Sequence, residues 1–126
     1  MRYCLLLLGL IFFFQAGAHS KLEDKNPNVK TKTGLATYYS RKFEGRKTTS
    51  GKKYRAHKLT AAHRTLPLGT IVTVKNLSNG KTVDVEVNDR GPYTKRYIID
   101  ISAQAAKELG FYKKGQSKVE ISYNLN

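Results

Sequence analysis

The chain has 126 residues, with 23 Lys or Arg against 9 Asp or Glu, so its formal net charge is +14. This length suits one small domain and leaves no room for a second. The positive charge favours anionic partners, although a solvated basic surface explains it equally well. The only cysteine is Cys4, which excludes an intramolecular disulfide and a thiolate metal site.

The N-terminal segment follows the plan of a secretory signal. Arg2 precedes the apolar run "LLLLGLIFFF" at 5–14, and "AGA" at 16–18 offers small residues for cleavage. The run is shorter than the roughly 20 residues that span a bilayer, which favours cleavage over a retained membrane helix. We therefore predict that residues 1–18 are removed and that the exported chain is not lipid-anchored through Cys4.

The segment that follows is polar. Residues 19–33 carry few apolar side chains and no hydrophobic period, which predicts a flexible leader ahead of a domain at 34–126. Because the chain is predicted to be exported, its charge suits anionic envelope material better than nucleic acid. Five short β signals then follow one another, at residues 35–40, 70–76, 82–88, 96–102 and 118–123.

The third β signal has the clearest pattern. Val83, Val85 and Val87 alternate with polar residues, which predicts a strand with one solvent-facing side. The preceding "NLSNGK" predicts a tight hairpin turn at Asn79 and Gly80.

One helix is predicted near the C-terminal end. Ser102 is placed to cap "AQAAKEL", and Gly110 is placed to end it. Several evenly spaced strands with one short helix, and no alternation of strands with helices, indicate a small closed or nearly closed β-barrel.

Few of the Asp and Glu residues are candidates for a catalytic role. Glu44 stands among many basic residues and is most simply a surface charge. Asp100 precedes the helix, where an acid accepts hydrogen bonds from the first backbone N–H groups. Asp89 ends a strand before a Gly-Pro turn, with Arg90 and Tyr93 close to the same rim. The spacing alone leaves Asp89 open to two interpretations, a turn former or a working carboxylate.

The histidines do not indicate a metal site. His57 and His63 have no cysteine and no acid at ligand spacing, and no cofactor is predicted. His63 ends the apolar "LTAAH", a position that is more typical of a hydrogen-bonded core histidine.

Several motifs resemble the rare lipoprotein A family, and the resemblance extends over residues 34 to about 123. The motifs are "GLATYYS" at 34–40, "TAAHRTLP" at 60–67, "NDRGPY" at 88–93 and "IDIS" at 99–102. The resemblance implies a mainly β fold, a six-stranded double-psi β-barrel with one short helix. It also implies an exported endolytic peptidoglycan lytic transglycosylase of the bacterial periplasm, or of the extracellular space, that cleaves glycan strands free of stem peptides to 1,6-anhydro-MurNAc ends. We expect a monomer.

The resemblance also implies site residues. Asp89 and His63 match the catalytic positions of the family, and the chain departs from the family pattern at Lys52 and Arg55, where acids are usual. In a lytic transglycosylase one Asp serves as acid and then as base, because the C6 hydroxyl of the substrate attacks the anomeric carbon. The predicted substrate-binding residues are Tyr38, Tyr39, Arg90, Tyr93 and Asp100.

Some alternatives stay open at this point. The tyrosines are sugar-stacking surfaces or packing residues of strands. A binding module with the same groove and no turnover is the second interpretation of the function, and a cationic envelope-binding protein is the third. Anhydro-ended products, saturable binding without products, and binding that disappears at high salt distinguish the three.

Overall fold

The computed structural model describes residues 26–125. The predicted signal segment, residues 1–18, and the predicted leader up to residue 25 lie outside this range. Within it, no helix is both long and apolar enough to cross a membrane. In chain order the elements are β1 (Val29–Tyr38), a 3-10 helix (Arg41–Phe43), β2 (Thr60–Ala62), β3 (Ile71–Asn76), β4 (Thr82–Asp89), β5 (Tyr97–Ile101), α1 (Ala103–Leu109) and β6 (Ser117–Asn124).

The strands form a closed barrel in the order β1-β5-β2-β4-β3-β6. The β1–β5 and β2–β4 pairs are parallel, and the other described pairs are antiparallel. Closure gives each of the described strands a neighbour on both sides. The predicted six-stranded barrel with one helix is confirmed.

The interior of the barrel is apolar. Val83, Val85 and Val87 are all buried in the core, as their alternation predicted. Ile99 and Ile101 of β5 join them from another strand. Removal of these side chains from water is the main favourable contribution to folding.

The predicted caps of α1 are present. The Ser102 hydroxyl accepts a hydrogen bond from the Ala105 backbone N–H at 3.2 Å. Gly110 ends the helix with a φ of 80°, in the left-handed region that favours glycine. The predicted hairpin turn between β3 and β4 is also confirmed, since the Gly80 N–H donates to the Asn76 carbonyl at 2.8 Å.

Two strand positions were not predicted. Strand β2 has only three residues, too few for a visible period, and it pairs with β4 and β5. Strand β1 begins at Val29, so residues 29–33 of the predicted leader belong to the barrel and the boundary at residue 34 is too late. These residues are exposed and pair with β6 through their backbone, which requires no apolar side chain.

We expect truncation to distinguish these boundaries. A chain that starts at residue 34 should lose roughly 2–4 kcal/mol of unfolding free energy, because each backbone hydrogen bond contributes about 0.5–1.5 kcal/mol net. A chain that starts at residue 29 should match the full chain from residue 19. Urea unfolding of the three proteins measures the difference, and identical midpoints would show that residues 29–33 add nothing.

Candidate active site

Four residues from four neighbouring strands lie side by side on the outer face of the barrel. Ala62 pairs with Asp89 on one side and with Asp100 on the other, and Asp100 pairs with Thr37. Since adjacent strands are about 4.8 Å apart, the two aspartate backbones are separated by about 10 Å. All four residues line a groove of about 360 Å³. Ala62 lies between the two acids in the strand order.

A β-bulge directs Asp89 into this groove. The simple alternation of β4 would place Asp89 on the buried side together with Val87. The pairing instead moves from Ala61 and Val87 to Ala62 and Asp89, so β4 has one extra residue, Asn88. Bulges of this kind change the direction of a side chain next to functional sites. The bulge therefore turns the carboxylate outwards.

The Asp89 carboxylate is saturated with hydrogen bonds. Its Oδ2 accepts from the Tyr39 hydroxyl at 2.7 Å, and its Oδ1 accepts at 2.9 Å from the Thr49 N–H, the Thr49 hydroxyl and the Arg90 N–H. Burial raises the pKa of Asp89, but these hydrogen bonds outweigh burial and hold the pKa below its ordinary value. Asp89 is therefore ionised at neutral pH.

Tyr39 is held in place for this hydrogen bond. Its ring stacks on Tyr54 with centroids 4.3 Å apart and meets the edge of Phe43 at 5.9 Å. Burial and the Asp89 carboxylate raise the pKa of Tyr39 above its ordinary value, so the hydroxyl remains a donor. Tyr39 also lines the groove, and its predicted substrate-binding role stays a prediction.

The Asp100 carboxylate has a different environment. It accepts no hydrogen bond from any residue in 26–125, and the Ser102 hydroxyl, not Asp100, caps the helix. Its Oδ2 lies 3.9 Å from the place that a Cβ at Gly91 would occupy, so it faces the Gly91 side of the groove. Burial and the neighbouring charge of Asp89 raise the pKa of Asp100 to about 6, while Arg64 opposes the rise.

The His63 side chain accepts hydrogen bonds from the backbone that follows it. Its Nδ1 accepts from the Thr65 and Leu66 N–H groups, both at 3.1 Å. Burial lowers the pKa of His63 to about 4, so the ring is neutral at pH 7. The side chain is buried outside the groove lining and makes no hydrogen bond to the Asp89 carboxylate, although the His63 N–H donates to the Asp89 carbonyl at 3.1 Å. His63 therefore fixes the turn after β2.

Two arginines connect the loops next to the groove through hydrogen bonds to backbone carbonyls. The Arg90 guanidinium donates to the carbonyls of His63 at 3.1 Å and Leu66 at 2.6 Å. The Arg64 guanidinium donates to the carbonyls of Pro92 and Tyr97, both at 2.8 Å. Arg90 therefore has a structural role, and its predicted substrate-binding role stays a prediction.

The other predicted aromatic residues differ in exposure. Tyr38 stacks on Tyr112 with centroids 4.8 Å apart and donates its hydroxyl to the Tyr112 carbonyl at 2.6 Å. Tyr93 lines the groove and is 90% exposed. All three predicted tyrosines line the groove, and Tyr93 is the most exposed of them.

The departures from the family pattern lie away from the groove. Neither Lys52 nor Arg55 lines it. Arg55 pairs with Glu44 at 3.5 Å on the surface, and the Lys52 carbonyl accepts hydrogen bonds from Thr48. These two cations therefore do not explain the low pKa of Asp89.

Sequence reasoning missed Thr49 and Ala62. Thr49 lies in a polar loop that is 40 positions from Asp89 in sequence, and no local pattern pointed to it. Ala62 lies inside "TAAH", where a small residue looks like ordinary core. In residues 26–125, no cluster of three or more His, Cys, Asp or Glu could hold a metal ion.

The hydrogen bond from Tyr39 can be tested directly. Tyr39→Phe should raise the pKa of Asp89, because it removes one donor and leaves the ring contacts. Carbon NMR titration of the Asp89 carboxyl measures the change. Tyr38→Phe is the matched control, since it removes a hydroxyl that donates to Tyr112 instead. An unchanged titration in Tyr39→Phe would contradict the role of this hydrogen bond.

The fold and the groove define a double-psi β-barrel with a pair of acids on its outer face. Residues 31–121 match the family model of this barrel described as "Lytic transglycolase". The chain therefore belongs to this family, and the resemblance to rare lipoprotein A is confirmed.

Relatives named endolytic peptidoglycan transglycosylase RlpA support the assignment. The protein from Rickettsia bellii is 43% identical over 119 residues, which cover 88% of this chain and 52% of that protein. The protein from Neisseria meningitidis serogroup A is 50% identical over 91 residues, which cover 72% and 38%. The chain thus spans about half or less of the length of these relatives.

Solved structures show the same fold. The Streptomyces papain inhibitor is 25% identical with a TM-score of 0.62, over 76% of this chain and 96% of that one. An expansin of Clavibacter michiganensis is 21% identical with a TM-score of 0.62, over 77% and 52%. A mutant Clavibacter michiganensis expansin was solved in complex with cellohexaose, and its TM-score is 0.58 at 21% identity over 77% and 51%.

Proposed function

We propose that this protein is an endolytic lytic transglycosylase that cleaves peptidoglycan glycan strands and leaves 1,6-anhydro-MurNAc ends. One observation carries the proposal, the presence in one groove of two carboxylates whose pKa values are shifted in opposite directions. The pKa of Asp89 is lowered, whereas the pKa of Asp100 is raised to about 6. Such a divergence separates an acid from a permanently charged partner.

The proposed steps use both groups. Protonated Asp100 donates its proton to the glycosidic oxygen as the bond to the anomeric carbon breaks. The charge of Asp89 stabilises the positive charge that develops on the sugar. The C6 hydroxyl of the same sugar then attacks the anomeric carbon, and its proton returns to Asp100. No water is consumed, and both carboxyl groups end as they began.

This assignment changes the role that the resemblance implied for Asp89. A general acid needs a raised pKa, and a carboxylate that accepts four hydrogen bonds is a poor proton donor. Asp100 satisfies this condition, and no hydrogen bond from the described residues competes for its proton. His63 and Tyr39 are positioning residues in this proposal, and Tyr93 contacts the sugar.

The proposal includes a location in the cell envelope, where the substrate lies. We propose export to the periplasm after removal of residues 1–18, with the glycan strand as partner of a monomeric chain. The formal charge of +14 supports attraction to anionic envelope surfaces.

Glycan binding without turnover is the alternative function. The mutant expansin in complex with cellohexaose supports this alternative, because that protein shares the barrel fold and holds an oligosaccharide.

Product analysis tests the proposal. The exported form is incubated with glycan strands free of stem peptides, and the products are weighed by mass spectrometry. We expect fragments whose ends are lighter by one water than the products of hydrolysis. Saturable binding with no fragments would favour the binding module, and binding that vanishes at high salt would favour action through charge alone.

A further inference from the structure

One wall of the groove carries an aromatic ring that contacts two cations, of which one lines the groove and the other lies beside it. The Lys42 Nζ lies 5.4 Å from the centre of the Phe43 ring, and the Arg46 Cζ lies 5.5 Å from it. Lys42 and Phe43 both line the groove. Cation–π contacts at exposed sites contribute about 0.5–1 kcal/mol. The ring therefore holds both cations beside the groove.

These two cations have no carboxylate partner in the described part of the chain. The nearest acid in sequence, Glu44, pairs instead with Arg55 at 3.5 Å and accepts from the Ala56 N–H at 2.8 Å. No other ion pair is present within residues 26–125. The aromatic ring explains where Lys42 and Arg46 lie but leaves their charge uncompensated.

Tyr39 links the cations to the acids. Its ring meets the edge of Phe43 at 5.9 Å, and its hydroxyl donates to Asp89 at 2.7 Å. Lys42 and the two acids therefore line one groove, and Arg46 lies beside it on the Phe43 ring. A strand bound across Asp89 places its neighbouring sugar units near the cations.

We propose that Lys42 and Arg46 form a subsite for the free lactyl carboxylate of muramic acid. An attached stem peptide converts this carboxyl into an uncharged amide, and loss of the peptide exposes a carboxylate on the sugar. Two cations of this kind attract the carboxylate and not the amide. The subsite therefore favours a muramic acid whose lactyl carboxyl is free over one whose carboxyl is an amide. The inference rests on the proposed function, since it takes the glycan strand as the ligand.

The test is a binding measurement on two forms of one ligand. Glycan strands free of stem peptides are compared with the same strands after their carboxyls are converted to methylamides. For the wild type, we expect the Kd to rise roughly fivefold to tenfold on the methylamide strands. Lys42→Gln combined with Arg46→Gln should raise the Kd for the charged strands by a similar factor and leave the Kd for the methylamide strands unchanged.

A matched control separates the subsite from net charge. Lys47→Gln combined with Lys53→Gln removes the same charge from exposed positions of the same loop, outside the groove lining. This control should keep the wild-type preference for charged strands. Lys42→Gln alone should give a smaller loss and serves if the double variant is less stable.

The outcomes separate the subsite from the proposed activity. Equal affinity of the wild type for the two ligands, or equal losses in the two double variants, would overturn the subsite. If wild type forms no anhydro ends but still prefers charged strands, the transglycosylase proposal fails and the subsite remains. If anhydro ends form equally well from both strands at equal affinity, the activity stands and the subsite is wrong.

Discussion

Asp100→Asn is expected to lower kcat for anhydro-end formation by roughly 100-fold to 10,000-fold, the range typical of a lost general acid. The amide has nearly the same size but carries no titrating proton. Since the Asp100 carboxylate accepts no hydrogen bond from residues 26–125, its replacement by an amide should leave the barrel and glycan binding intact. Rates of product formation and the Kd for glycan strands measure the two effects separately.

The pH dependence of the wild type follows from the same carboxyl group. Asp100 must be protonated to act, and its pKa is raised to about 6. The wild-type kcat/KM, which reports the groups of the free protein, should therefore fall as the pH rises above this value, and the residual kcat/KM of Asp100→Asn should lack that fall. Wild-type rates of product formation in Asp100→Asn would exclude Asp100 as the proton donor.

Asp100→Asn should raise the folding stability near neutral pH although it lowers activity. The carboxyl of Asp100 has a pKa of about 6 in the folded chain and an ordinary pKa of 3.8 when unfolded, so folding stability is lost as the pH rises between these values. Asp100→Asn avoids this loss and should have a higher Tm than the wild type near pH 7. The gain should disappear towards pH 4, which thermal unfolding at both pH values can check.

The sequence was sufficient for the barrel but not for the orientation of its key acid. Alternating valines in β4 reveal a strand because burial of one face imposes a period of two. The extra residue at Asn88 breaks that period, and its effect depends on the pairing of β4 with β2. Likewise, residues 29–33 extend β1 and pair with β6 through backbone hydrogen bonds, which cannot be predicted from composition.

The acids of the site were found by different means and with different success. Elimination and resemblance led to Asp89, because it stands at the end of a strand before a turn. The raised pKa of Asp100 was not predictable, because it depends on burial and on a charge across Ala62 from another strand. His63 was correctly placed among buried, hydrogen-bonded histidines by its apolar neighbours, and its predicted catalytic role stays a prediction.

Asp89→Asn is expected to lower kcat by roughly 100-fold, because it removes a preorganised charge that stabilises the transition state. The amide oxygen can still accept from the Thr49 and Arg90 N–H groups, so the loop should stay in place. Product formation and the Tm are the two measurements. A stable variant with wild-type turnover would remove Asp89 from the mechanism.

The pH profile of this variant identifies which acid donates the proton. The charge of Asp89 raises the pKa of Asp100, so Asp89→Asn should lower that pKa and shift the fall in kcat/KM to a lower pH. The fall itself should remain, because Asp100 still titrates. If Asp89→Asn instead abolishes the fall while Asp100→Asn retains it, the roles are reversed. Asp89 would then be the acid and base, as the family pattern implied, and its pKa would have to rise when the glycan strand displaces water from the groove.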